Sequence, residues 1–211
     1  MNKAYLESGE ITRMIETADN LRDRLLITML FHLGCRISEA LAIEAENIDL
    51  ANKTITITHL KSRIKLKCRS CGTDLSRASV YCPKCGSKVC AAEQEFQEKR
   101  KQRVLPIDGT LVEMVSEYIS RGGPINRNGK RLIFSINRHR AWQIIKGCAN
   151  KAGLPKIINT ETGKVHNVSP HRLRDAFAVH AVKLDDSGDG LRMLQSTWGT
   201  KASIPLPATV R

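Results

Sequence analysis

The chain has 211 residues, with 34 Lys and Arg against 21 Asp and Glu for a formal net charge of +13 and a hydrophobic share of 41%. That composition agrees with one main globular, soluble domain holding a real core. No apolar run is long enough to span a bilayer, and the first ten residues are neither a signal sequence nor a basic amphipathic presequence, so a cytoplasmic location without membrane association is expected. The basic balance suits a polyanion. Nucleic acid is favoured over a membrane surface because the cations gather near motifs, at Lys61, Arg63, Lys65 and Lys67 and again at Lys99, Arg100, Lys101 and Arg103. Seven cysteines is an odd number, and four of them have metal-ligand spacing, which argues against a disulfide framework.

In chain order, apolar residues recur at helical spacing over Glu10 to Thr17 and Leu21 to Leu33, predicting two helices of a bundle. Gly34 ends the second. Cys35-Arg36-Ile37-Ser38-Glu39-Ala40-Leu41 then restarts a helix, which places Arg36 at a helix junction. From spacing alone Arg36 reads equally as a capping or surface arginine. Lys53 to Leu60 alternates Ile55 and Ile57 with threonines, which is strand chemistry, and its expected partner is Gln102 to Ile107.

Between those strands lie Cys68-x-x-Cys71 and Cys82-x-x-Cys85, with Gly72 and Gly86 after the pairs. Two such knuckles joined by a short hairpin supply four thiolates to one tetrahedral ion, and a ribbon holding structural zinc is expected over 66–90. A redox pair is the competing reading of a single C-x-x-C, and the second knuckle disfavours it. Cys35 and Cys148 read as small core residues, and Cys90 as spare. A metal would let this short segment stand as a rigid basic element without a core of its own.

Thr110 to Ser120 is amphipathic, Arg121 to Lys130 reads as a Gly, Asn and Pro-rich loop, and Leu132 to Phe134 is a short apolar run. Arg138 to Ala152 reads as a basic helix, and Lys164 to Val168 as a short strand. Ser169 and Pro170 then read as an N-cap and first-turn proline, so His171 and Arg174 lie on one face near the positive end of the next helix. An anion is the natural guest there: Arg offers a planar fork of donors, and His can hold or pass a proton near neutral pH. The plainer reading puts Leu173, Phe177 and Val179 in a core and the charges in water.

The two stretches Gly34-x-Arg36-Ile37-Ser38-Glu39-Ala40-Leu41 and His171-x-Leu173-Arg174 resemble, in order, the two signatures of the tyrosine recombinase (phage integrase) family. The resemblance runs from Glu10 to about Gln195 and implies a mainly α fold with a small antiparallel β-sheet, an α+β catalytic domain here carrying a zinc ribbon in a β-hairpin. It implies that a Tyr attacks a DNA phosphodiester, that a second strand's hydroxyl reverses the link, and that no cofactor or metal enters the reaction. Arg36 and Arg174 would hold the phosphate oxygens, Glu39 would be the structural acid, and His171 would assist proton transfer or orient the phosphate. Lys61, following the first strand of the hairpin, would protonate the leaving 5′ oxygen, with Lys65 and Lys101 as rivals for that role. The helix with Arg138, Arg140, Lys146 and Lys151 would lie on double-stranded DNA, a solvated face being the alternative. Family members work as tetramers on DNA, so a homo-oligomer there is expected. The ribbon is an insert that most members lack, and DNA contact is expected of it.

Two departures stand out. Few residues precede Arg36, so the upstream DNA-clamping helical domain of the family is not expected in this chain. After Leu194-Gln195 the family continues L-G-H, with the nucleophilic Tyr nine residues beyond the His; here Thr200 and Thr209 take those places, and no Tyr follows Tyr118. A Thr hydroxyl is a poor substitute. Back-translated in a frame that takes the last base of one codon and the first two of the next, residues 197–211 permit L-G-H-K-S-I-N-T-T-A-R-Y. A one-base deletion near Ser196 is therefore expected to have replaced the tail. The chain is expected to be a site-specific recombinase of a mobile element, serving DNA strand breakage, rejoining and integration, and inactive as written. The rivals are a recombinase supplied with Tyr in trans, a non-catalytic DNA-binding regulator or relic, and, last, a zinc-ribbon transcription or RNA-binding protein.

Overall fold

Nearly every residue from Leu25 to Leu33 is buried, and a helix that is apolar all round has to be surrounded by others. The computed structural model describes residues 4–59, 62–76, 79–89, 93–98, 101–158 and 162–184. These fall into two compact units, one built from the chain up to Ile57 and from Arg103 onward, the other from Thr58 to Gln102.

In the first unit, helix α1 spans Ser8–Glu16 and α2 spans Leu21–Leu33. The Asn20 side chain accepts a bond from the Asp23 amide at 2.9 Å, a cap that contributes about 1 kcal/mol. Gly34, at φ +52°, ends α2 in the left-handed conformation that glycine tolerates best. The restarted helix expected after it is one turn, α3 (Ile37–Ala40). Strands β1 (Ile48–Asp49) and β2 (Thr54–His59) follow, then β3 (Ser62–Lys67), β4 (Asp74–Leu75), β5 (Glu93–Glu98) and β6 (Lys101–Pro106). β2 lies between β1 and β6, so the expected pairing of the Lys53 to Leu60 strand with the Gln102 to Ile107 strand holds. Ile55 and Ile57 are buried and the threonines between and beside them half-buried, the period-2 pattern of a strand with one face on the core.

Helix α4 (Gly109–Ser120) is capped by the Asp108 side chain, and α5 (Arg138–Lys151) by that of Asn137. The stretch expected as a loop contains a hairpin, β7 (Ile125–Arg127) and β8 (Lys130–Leu132). Its turn residues Asn128 and Gly129 have φ of +52° and +74°. Two consecutive left-handed residues match the twist of the flanking strands, which is why an Asn-Gly pair closes a hairpin. A short ladder of β9 (Ile157–Ile158) and β10 (Val165–His166) precedes helix α6 (Pro170–Leu184). Around α2 pack α1, α4, α5 and α6, and the core includes Leu25, Met29, Leu30, Leu111, Val115, Phe134, Ile145 and Leu173. Cys35 and Cys148 are buried in it, as expected of small apolar residues.

The second unit is a three-stranded antiparallel sheet in the order β4-β3-β5. β3 and β5 pair over their whole length, from Ser62 opposite Glu98 to Lys67 opposite Glu93. The four ribbon cysteines lie in this unit, beyond the far end of β3. Cys90 lies outside the described residues.

Candidate active site and metal centre

Glu39 is a carboxylate with almost no water around it: its side chain is 1% exposed. Burial of a lone carboxylate is costly, so it must be paired and bonded. One oxygen takes Arg36 Nη1 at 3.0 Å, and the other takes the Arg36 amide at 2.9 Å and Arg103 Nη2 at 2.8 Å. Arg36 thus stands at the start of α3 with main chain and side chain both held by the acid one turn on. The acid is fastened from the other side by a strand residue.

Arg174 completes the cluster from α6. The Ser169 carbonyl accepts from the Arg172 and Leu173 amides, which makes Ser169 the first cap residue of that helix. Leu173, Arg174 and Ala176 turn inward, and Arg174 is only 5% exposed. Burial, then the neighbouring charge of Arg36, pushes its guanidinium down to about 10, and it stays a full cation at neutral pH. Cys35 lies among these groups. Burial, followed by the charge of Glu39, pushes its thiol up to about 12, so it adds no charge. Three guanidinium groups against one carboxylate leave a net positive cluster suited to an anion with several oxygens.

Gly34 couples the two arginine-bearing segments. A Cβ built on it would collide with Phe177 Cδ1, so the α6 ring packs directly against the glycine two residues before Arg36. His171 is 77% exposed, with Nε2 3.9 Å from Asp175 Oδ1. Asp175 also accepts from Arg172 Nη1 at 3.0 Å. Sequence reasoning missed the role of Arg103, although a signal was present. On β6, Arg103 and Leu105 are half-buried while Val104 is 62% exposed, so a charged residue occupies the inward phase of a strand and a valine the outward one.

Lys61, Thr200 and Thr209 lie outside the described residues. On α5, Arg138 and Arg140 are exposed in the first turn. Trp142 stacks on His139 with ring centroids 6.5 Å apart, and the Lys146 ammonium sits 5.1 Å from the Trp142 ring centre. Lys151 at the far end is held by both carboxylate oxygens of Asp19 at 2.7 Å. Among the described residues no helix is long and apolar enough to cross a membrane.

The sulfurs of Cys68, Cys71, Cys82 and Cys85 all lie within 4.8 Å of one another. Cys68 and Cys85 are 3.7 Å apart and Cys71 and Cys82 3.5 Å, far beyond a disulfide bond. Four sulfurs about 2.3 Å from one ion have tetrahedral edges of roughly 3.8 Å, so this donor set fits a structural metal ion. Contacts with the Thr73 hydroxyl hold the Cys71 thiol below its ordinary range, and those with Ser87 take Cys85 down to about 6. Both shifts favour the thiolate that a metal needs, whereas Cys82, although the Cys85 and Lys84 amides draw it down, is pushed up to about 11 by burial and the neighbouring Cys71 and Cys85 sulfurs.

The sequence matches the phage integrase family over residues 4–199. It is 26% identical over 192 residues to tyrosine recombinase XerD of Corynebacterium glutamicum, covering 88% of this chain and 46% of that protein. Its fold is similar to that of the XerA recombinase, with a TM-score of 0.63 at 18% identity over 95% of this chain and 56% of the other. It is also similar to that of the XerH recombinase bound to a palindromic difH substrate, at 0.59 and 18%, over 94% and 46%. The chain spans about half the length of the relatives it matches. With two arginine signatures brought to one buried acid inside this fold, the chain belongs to the phage integrase family and carries the catalytic domain of the tyrosine recombinases.

Proposed function

We propose that this chain is the phosphate-gripping scaffold of a site-specific DNA recombinase, and that with Thr209 in the nucleophile's place it holds double-stranded DNA without cutting it. The observation that carries this reading is the cluster on Glu39: a buried carboxylate orients Arg36 and Arg103 beside buried Arg174, leaving a fixed positive site for a phosphodiester. Arg36 and Arg174 would donate to the non-bridging oxygens and stabilise the charge that builds on them in the transition state. His171, exposed at the start of α6, would orient the phosphate or pass a proton, and Lys61 would give a proton to the leaving 5′ oxygen. The attacking group of the family is a Tyr hydroxyl, which forms the phosphotyrosyl bond as the 5′ oxygen leaves. Arg138, Arg140 and Lys146 on α5 would contact the DNA backbone, as would Lys151, whose ammonium would first have to leave Asp19. The XerH neighbour, crystallised on its difH substrate after cleavage, supports a DNA partner. A homo-oligomer on DNA is inferred with it.

The family match ends at Gly199, so Thr200 and Thr209 lie outside it. A shifted frame is inferred as the source of the tail from the L-G-H and Tyr spacing that back-translation permits. The restored parent would then be the active recombinase, and this chain a relic or regulator that occupies sites. Zinc is the metal inferred for the four cysteines, since a closed set of four thiolates favours it. The test is anisotropy of a labelled DNA duplex with the chain and with Arg174→Ala, together with covalent trapping on nicked suicide duplexes drawn from the DNA around the gene. The expected result is binding that weakens at least tenfold in the variant, and no covalent adduct until the L-G-H and Tyr frame is restored. Unchanged binding by Arg174→Ala overturns the phosphate site, and an adduct formed by the chain as written overturns the loss of the nucleophile.

A further inference from the structure

The two halves of the metal ribbon are copies of one another, and they differ in one respect that points to a ligand. Residues 66–75 and 80–89 repeat at constant spacing. The Cys68 amide bonds the Thr73 carbonyl at 3.0 Å and the Cys82 amide bonds that of Ser87 at 2.9 Å. The Gly72 amide returns to the Cys68 carbonyl at 2.8 Å, and that of Gly86 to the Cys82 carbonyl at 3.0 Å. Cys71 Sγ lies 3.2 Å from the Thr73 hydroxyl, and Cys85 Sγ 3.3 Å from that of Ser87. Gly72 and Gly86 share a left-handed φ of +69° and +72°. Backbone path, sulfur contacts and turn glycines thus agree in the two halves.

The residues carried on that shared path do not agree. In the first half Lys67 stands opposite Asp74, so cation faces anion across the ladder, and Leu66 and Lys67 are half-buried. In the second half the same positions are Tyr81 opposite Lys88, preceded by Val80. Val80 and Tyr81 are 61% and 60% exposed. Lys84, on the turn between the two cysteines, and Lys88 are exposed as well, and residues 79–89 contain no acid. The first half carries Lys67 and the exposed Arg69 against one acid, Asp74, and has no aromatic ring, while the second presents a tyrosine ring, an aliphatic side chain and two cations, with no acid, on one small hairpin. That combination suits a polyanion with apolar parts between its charges, since the cations meet phosphates and the tyrosine ring packs on the sugars between them.

We infer that the second knuckle, residues 80–89, is a DNA-contacting edge separate from the arginine cluster, with Tyr81, Lys84 and Lys88 as its contact residues. The edge adds affinity without sequence preference, because its cations reach phosphates and its ring packs on deoxyribose, which every nucleotide shares. The inference rests on the reading that the chain binds DNA and holds a metal ion at the four cysteines, and the experiment separates these claims.

The full chain, purified with its metal, is titrated against a labelled duplex of arbitrary sequence over a range of salt concentrations. It is compared with Lys84→Ala/Lys88→Ala, with Tyr81→Ala and, from the first half, with Lys67→Ala, and bound metal is measured for each. The double variant should keep its metal and lower the slope of log affinity against log salt by about 1.8, two phosphate contacts at about 0.9 each. Tyr81→Ala should weaken binding about two- to tenfold with the slope unchanged, the loss of the ring's packing on deoxyribose. Lys67→Ala should change the slope by less than half as much as the double variant. If slope and affinity are unchanged in metal-loaded variants of a chain that does bind the duplex, the knuckle proposal is overturned and the arginine site stands. A chain that fails to bind the duplex at all overturns both. Loss of self-association in Tyr81→Ala with DNA binding intact would mean that the edge meets a second copy, which also overturns the proposal.

Discussion

Replacing Glu39 by Gln removes one negative charge from the centre of three guanidinium groups while keeping the size of the side chain and an oxygen for the Arg36 amide. Breaking a buried ion pair on one side costs about 3–5 kcal/mol. The lower end applies here, because Arg36 is 35% exposed and water can take over part of its charge, whereas Arg103 at 16% has less relief. A loss of about 3 kcal/mol at roughly 2–4 °C per kcal/mol lowers the melting temperature of a chain this size by about 6–12 °C. A second consequence is more specific. With one negative charge gone the cluster is more strongly positive, so an inorganic anion bound beside the arginines stabilises the variant more than the parent, and a ligand at about 100 times its Kd stabilises by about 2.7 kcal/mol. Thermal unfolding is therefore followed in sodium sulfate and in sodium chloride of equal ionic strength. The Gln variant should recover more of its stability in sulfate than the parent gains. A loss below about 1 kcal/mol, or equal sulfate responses in the two proteins, would refute the view that Glu39 balances the cluster.

Gly34→Ala should destabilise the first unit by about 2–3 kcal/mol, since a left-handed alanine costs roughly 1 kcal/mol and its methyl group meets the Phe177 ring. In the same protein Phe177→Ala should return part of that loss, and strict additivity in the double-mutant cycle would show that the two residues do not press on each other. Cys71→Ser, or removal of the metal by a chelator, should abolish metal binding and open residues 58–102 to limited proteolysis while helical circular dichroism is largely retained. Cleavage spread over α2 and α6 as well would mean that the two units unfold together.

The helices that surround α2 were legible because their signals are local, in the spacing of apolar residues, in the Gly34 stop and in the Ser169-Pro170 start of α6; the caps Asn20, Asp108 and Asn137 emerged only from the structure. The two knuckles were legible for the same reason, since each is closed by bonds within a few residues. The joining of Arg36 and Arg174 came from the family signatures and not from periodicity, for nothing in either helix states which face meets the other. Arg103 escaped because its partner Glu39 is distant in sequence, and the register between a strand and a one-turn helix has no local code. The β7–β8 hairpin escaped for a lesser reason. Its Asn128-Gly129 pair is a turn signal, but Arg127, Lys130 and Arg131 around it lack the apolar alternation that identifies strands.

The placement of β2 beside β6 in one sheet means that the chain leaves the first unit and returns to it at neighbouring points. To the arginine-bearing unit, everything from Thr58 to Gln102 is then a loop whose ends are already pinned. The entropy of closing such a loop grows only with the logarithm of its length, about 0.6 kcal/mol for each doubling. An ancestor with a short turn at this place could have taken on a self-supporting metal ribbon, or could shed one, without repacking the helices around α2. A metal ion held by the four cysteines would let the segment fold without drawing on the host's core.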